Sequence, residues 1–291
     1  MRKVELALDA KAALGECPRW HVGEGVLYFV DITARTLTRF DPATGAWASR
    51  SFEQPVGCFA FRRAGGFVLG MKDGFALLDA FDGEPRPFGA QVEAARAQVR
   101  FNDGRADAVG RFWAGTMDGT KIQGDGALYR LDPDGSVTRM AEGALTSNGV
   151  AFSPDGQTLY YSDTPAHRIT AYDFDLAAGA IARPRTFHAF PYGNGRPDGA
   201  TVDVEGAYWC ALYAGGRVVR LSVQGEIVEE VEIPAPNVTM IGFGGADLRT
   251  AYVTTARQNA SPEDLERFPH AGGLFTFRVD VPGLVERPFG G

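Results

Sequence analysis

The sequence predicts an all-β fold, a six-bladed β-propeller with four-stranded blades, on three observations. A turn followed by a β-branched and aromatic run recurs six times, a second strand-like run follows each, and a third precedes each pair. The leading runs of the pairs end at Asp31, Met71, Met117, Asp163, Tyr213 and Ala256, spaced 40, 46, 46, 50 and 43 residues apart. A more polar fourth run follows most pairs. A many-stranded sandwich gives no reason for this unit to return six times.

The chain opens on residues 3–8, an alternating run with no partner of its own. It is expected to supply the outer strand of blade six, pinning first blade to last and removing a free edge. Blade one then takes residues 15–20 nearest the axis, followed by 25–31 and 37–41, closed by the turn Pro42-Ala-Thr-Gly45. Blade two takes 56–61, 66–71 and 75–79. Blade three takes 102–106, 110–117 and 127–132, with the polar run 137–140 outermost. Blade four takes 148–152, 157–163 and 169–173. Blade five takes 198–202, 206–213 and 218–222, with 227–231 outermost. Blade six takes 239–243, 249–256 and 273–279, after which Pro282-Gly283 interrupts any further strand. Two inserts stand apart. The polar, Gly-rich residues 118–126 are expected as a loop at the mouth of a site. Residues 261–267 are expected to form the one helix, since Ser261 can cap it with Asp264 three residues on.

Composition narrows the function. A single domain spanning residues 1–291 is expected, because the repeat overrides the length prior. The net charge of −7 argues against a nucleic-acid partner. No apolar run approaches the length of a membrane span, and the N-terminus lacks a signal-peptide core. Cys17, Cys58 and Cys210 have no CxxC spacing, which favours reduced thiols and a cytoplasmic location.

The inner runs carry the chemistry. Four open on polar residues, Glu16, Asn102 with Asp103, Asn148 and Asp198, whereas blades two and six offer only Gly57 and Thr239. A common strand order brings these residues to one mouth of the central channel. Aligning on the following glycine puts Asp103, Asn148 and Asp198 at one equivalent position. Carboxylates and amides gathered so closely repel unless a cation sits among them. Oxygen donors suit Ca²⁺, Mg²⁺ or Mn²⁺ and admit Zn²⁺ or Fe²⁺. Asn-Gly and Asp-Gly are everyday turn dipeptides, and channel mouths often hold only water. The register of the whole set is what points to a site. Arg100 can pair with Asp103 or Asp107, or donate to a substrate oxygen. The histidines follow no repeat, Ser147 and Ser162 lack a G-x-S-x-G setting, and Cys17 faces away from Glu16 into packing.

At these residues the chain resembles the senescence-marker-protein/gluconolactonase/regucalcin family, six-bladed propellers with a divalent metal in the channel. The resemblance runs through LGECPRW, RFNDGRAD, GRFWAGTMD, TSNGVAFSPDG, YYSDT and RPDGATVDVEGAYWCALYAGGRVVRL, and covers nearly the whole chain. It implies metal-dependent opening of sugar (aldono-) lactones to sugar acids. Its metal ligands fall on Glu16, Asn148 and Asp198, around one divalent ion, Ca²⁺ or Zn²⁺ foremost. Its substrate contacts fall on Arg100 and Asn102, with Thr120 of the mouth loop added as a third. The general base is then Asp198 or Asp103. Two departures are visible: Cys17 stands where a glycine is common, and the loop near Thr120 lacks the acidic pair of animal members. The partner is a small sugar lactone, and the chain is expected as a monomer or weak homodimer. Two other readings fit the scaffold. A phosphotriester or arylester hydrolase would want an apolar pocket. A calcium-binding regulator without turnover would leave Arg100 and Asn102 without a role.

Overall fold

Six four-stranded antiparallel sheets form a ring in the computed structural model, which describes residues 2–120 and 122–291. Lys121, inside the insert at 118–126, lies outside the described residues. In blades one to five the strands follow chain order from the axis outward. The inner strands are Gly15–His21, Val56–Phe61, Val99–Ala106, Ser147–Phe152, Arg196–Val202 and Asn237–Gly244. Blade six takes its outermost strand from Glu5–Leu8, which pairs antiparallel with Leu274–Arg278 as the alternation at the N-terminus predicts.

Burial explains the sequence pattern. Val26–Asp31 and Val56–Phe61 are buried along their whole length, so both faces read as apolar. Trp47–Ser51 is mostly exposed, and its sequence is correspondingly polar. Neighbouring blades pack face to face, and the largest aromatic cluster joins Phe59, Phe67, Phe75, Phe101 and Phe112 of blades two and three. The helix Pro262–Arg267 carries both arms of the capping box between Ser261 and Asp264. Among the described residues no helix is long and apolar enough to cross a membrane.

Two features position the site. Each inner strand breaks register against its neighbour at the same depth, gaining one extra residue. Bulges of this kind re-aim side chains next to functional sites. The second feature is the C-terminal segment, which has no strand signal in the sequence and crosses the far end of the channel. Val204 donates to the carbonyl of Pro282, Phe289 pairs with Phe61 and Arg63, and Gly290 donates to Gly110. Midway, the Glu286 carboxylate accepts from Arg19 at 2.9 and 3.0 Å and from Arg105 at 2.9 Å. One mouth of the channel is therefore closed by the chain itself, and the other stays open.

Candidate active site at the open mouth

The second strand of each blade fixes which inner-strand residues are equivalent. Glu16 faces Val30 and Asn148 faces Ser162, each immediately before its bulge. The next residues, Cys17 and Gly149, both take a left-handed conformation, with φ of 55° and 61°. Glycine adopts this freely, whereas Cys17 does so under strain. Asn102 and Asp198 lie within the bulges of their own strands, following Phe101 opposite Thr116 and Pro197 opposite Leu212.

This ladder corrects the alignment on the glycine. Asp103 pairs with Gly115 and stands one residue beyond the place of Asp198. A one-residue slip turns a strand side chain to the other face. The Asp103 carboxylate duly leaves the mouth, accepting from the amides of Gly104 at 2.7 Å and Val150 at 2.9 Å. Burial raises its pKa, while Arg19, the Val150 amide and Arg105 oppose the rise.

Glu16, Asn102, Asn148 and Asp198 are all buried and line one cleft together with Arg100. A directed chain of hydrogen bonds crosses three blades there. Arg100 Nη1 donates to Asn102 Oδ1 at 2.8 Å, and Asn102 Nδ2 to Asn148 Oδ1 at 2.9 Å. Asn148 Nδ2 donates to Thr164 Oγ1, and Thr164 Oγ1 to the Pro197 carbonyl, each at 2.8 Å. Both Asn148 amide hydrogen-bonding directions are thus set, and Oδ1 retains a second lone pair. Asn102 also donates to the Ser147 carbonyl at 3.0 Å, so its Nδ2 hydrogens are committed within the protein.

Burial, more than net charge, perturbs the ionisable groups of the cleft. Burial pushes the Glu16 carboxyl well above its usual range, and Asp198 and Asp103 push it further, against Arg100. Burial also lowers Arg100 to about 10, with Glu16, Cys58 and Asp198 opposing. Two buried carboxylates of like charge beside an amide oxygen are the donor set of a hard cation. Among the described residues no three His, Cys, Asp or Glu side chains gather as metal ligands, so a third protein donor would have to be the Asn148 amide oxygen. The residues present therefore fit a divalent ion.

Thr120 is exposed and does not line the cleft. Its hydroxyl and amide both bond Asp118, whose carboxylate also accepts from Ile122 and Gln123 and so organises the start of the insert. None of the histidines lines the cleft, and the Cys17 sulfur packs at 3.5 Å from the Phe59 amide nitrogen. The sequence reading missed Arg196, Tyr213, Gln258 and Asn259, which form the opposite wall. For Arg196 a signal existed. Arg100 faces Met117 and Arg196 faces Tyr213, each two residues before its bulge residue, Asn102 or Asp198.

The cleft has a cavity volume of about 70 Å³ and opens to solvent at its mouth. Larger hollows include one of about 90 Å³ at the closed end and one of about 530 Å³ between blades one and two. Neither contains the Glu16, Asn148 and Asp198 donor set, so chemistry rather than size selects the mouth.

A six-bladed ring with an oxygen-donor set at one mouth defines a class of channel-centred propellers, and the chain's family follows. It belongs to the SMP-30/Gluconolactonase/LRE-like family, whose profile matches residues 14–257. It is 43% identical over 281 residues to 6-deoxy-6-sulfogluconolactonase of Pseudomonas putida, covering 96% of each chain. It is 36% identical over 296 residues to regucalcin of Xenopus laevis, covering 99% of each. A solved structure of regucalcin from Agrobacterium tumefaciens, described as a calcium-binding protein, matches with a TM-score of 0.94 at 26% identity. That match covers 99% of this chain and 97% of the other.

Proposed function

We propose that this protein hydrolyses sugar (aldono-) lactones to sugar acids, using one divalent cation held by Glu16, Asn148 and Asp198. The observation that carries this is the pair of buried carboxylates, Glu16 and Asp198, set beside Asn148 in an open polar cleft with Arg100. The 43% identity to a lactonase over 96% of each chain supports the same reaction class. An oxygen-only donor set favours Ca²⁺, Mg²⁺ or Mn²⁺ over Zn²⁺, which more often takes nitrogen or sulfur.

When bound, such an ion supplies Lewis acidity toward an ester carbonyl. The chain's own groups do the rest. Asp198 accepts a proton from the attacking water, whose oxygen adds to the acyl carbon; the ring C–O bond breaks, and its oxygen leaves as a hydroxyl once protonated. Asp103 is an unsuitable base, because both its oxygens already accept backbone amides away from the cleft. Arg100 donates to substrate hydroxyls and fixes the angle of attack. Asn102 orients Asn148 and offers substrate only the remaining lone pair of its Oδ1. Thr120 contributes through the loop it anchors rather than by contact. The three unpaired, buried cysteines suit a reducing cytoplasm.

A panel of aldonolactones, offered to the stripped protein with each divalent ion in turn, tests this. Ion-dependent opening of hydroxylated lactones is expected. Turnover indifferent to added ions, or a preference for phosphotriesters over lactones, would overturn it.

A further inference from the structure

We infer that Arg196 selects lactones carrying an anionic group (carboxylate, sulfonate or phosphate) remote from the ring ester, an inference that rests on the lactonase reading above. Arg196 and Arg100 hold the same ladder position in blades five and three and line the same cleft. Their commitments differ. Arg100 is bound to the Phe101 carbonyl and to Asn102. Arg196 is half-buried, and among the described residues its guanidinium makes no hydrogen bond and no ion pair. It lies instead 5.3 Å over the ring of Tyr213. Tyr213 is fixed in turn, donating to the Gln258 carbonyl at 3.1 Å and accepting from Asn259 at 3.0 Å. The cation is thus propped on a braced aromatic face with its fork of donors unspent.

Charge counting gives the sign of the missing partner. Among the described residues Glu16 and Asp198 are the only acids lining the cleft, and a divalent ion would neutralise both. Arg100 and Arg196 would then remain as two cations, and the other described lining residues are neutral. This excess stands out in a chain of net charge −7. A planar guanidinium fork matches a carboxylate or an oxyanion of sulfur or phosphorus through paired hydrogen bonds. A neutral hydroxyl at the same place would leave the charge unanswered.

The experiment compares kcat/KM for six-carbon aldonolactones that differ only at C6, bearing a hydroxyl, a carboxylate or a sulfonate. Wild type is expected to favour the anionic forms. Arg196→Gln should lower the anionic-to-neutral ratio by about 10- to 100-fold, the range for losing a charged hydrogen bond. Arg196→Lys should recover part of it. Calorimetry supplies a readout apart from turnover: an open-chain sugar diacid should bind more tightly than the corresponding monoacid, and Arg196→Gln should erase the difference. If neutral and anionic lactones are opened equally well, or the ratio is the same in both variants, this inference falls while the lactonase reading stands. A protein that opens neither kind sinks both.

Discussion

Asn102 of blade three donates through Nδ2 to Oδ1 of Asn148 in blade four, at 2.9 Å. This bond fixes which end of the Asn148 amide faces the cleft, because the other end is spoken for by Thr164. Outer partners of this kind orient metal ligands, and losing one typically weakens binding 10- to 100-fold. Asn102→Ala should therefore weaken Ca²⁺ binding by about tenfold in calorimetry, although Asn102 is not itself a ligand. Asn148→Ala should weaken it further and reduce the rise in Tm that the ion produces. Equal affinity in Asn102→Ala and wild type would show that the bond orients nothing.

Asp198 and Asp103 make a second comparison. In Asp198→Asn the amide oxygen can still coordinate, yet it accepts no proton. Much of the ion affinity should survive while kcat drops by about two orders of magnitude or more. Asp103→Asn removes an acceptor from the Gly104 and Val150 amides, so about 1–3 kcal/mol of stability should go, with kcat changed only a few-fold. Loss of turnover in a folded, ion-bound Asp103→Asn would reassign the base.

Among the described residues Glu286 is the one acid bonded to both Arg19 and Arg105 at the closed end of the channel. The Arg19 guanidinium is buried and that of Arg105 nearly so, and removing their shared partner leaves two charges answered only in part by Asp103. Glu286→Ala should lower unfolding free energy by about 3–5 kcal/mol in urea titrations. Ion affinity at the opposite mouth should be retained at temperatures where the variant remains folded. A loss below about 1 kcal/mol would mean that water replaces the carboxylate freely.

The Asp118 turn predicts a pH effect. Its carboxyl falls from the ordinary 3.8 to about 2, chiefly through the Thr120 hydroxyl and then through backbone amides of the insert. A depressed carboxyl stabilises the fold above its unfolded pKa, and the contribution fades as pH falls through the folded value. The Tm gap between wild type and Asp118→Asn should thus be full at about pH 6 and shrink between 3.8 and about 2. A gap unchanged at about pH 2 would rule out the carboxylate as its source.

The ring was legible because burial imposes the same apolar runs on every blade, and the turns between them carry glycine and aspartate. Convergence of Glu16, Asn148 and Asp198 was legible for the same reason, since repeated topology places repeated residues. The phase of Asn102-Asp103 was not. Either residue could occupy the bulge, and only the pairing of Phe101 with Thr116 and Asp103 with Gly115 decides it. Arg196 was overlooked although it repeats the offset of Arg100, because its role depends on Tyr213 and the Gln258–Asn259 loop of another blade. The C-terminal segment escaped notice because isolated backbone bonds and one buried Phe289 leave no periodic trace.

The pairing of Glu5 with Thr276 also sets an order of events during synthesis. The strand that completes the last blade is made about 270 residues before its partner. At roughly 5–20 residues per second, the early strand waits about 15 to 55 seconds on the ribosome without its neighbour. Throughout that interval the growing arc presents two open edges, each a template for the wrong strand. The most hazardous moment for this protein is therefore just before Leu274–Arg278 is made, when five blades are built and the arc has not yet become a circle.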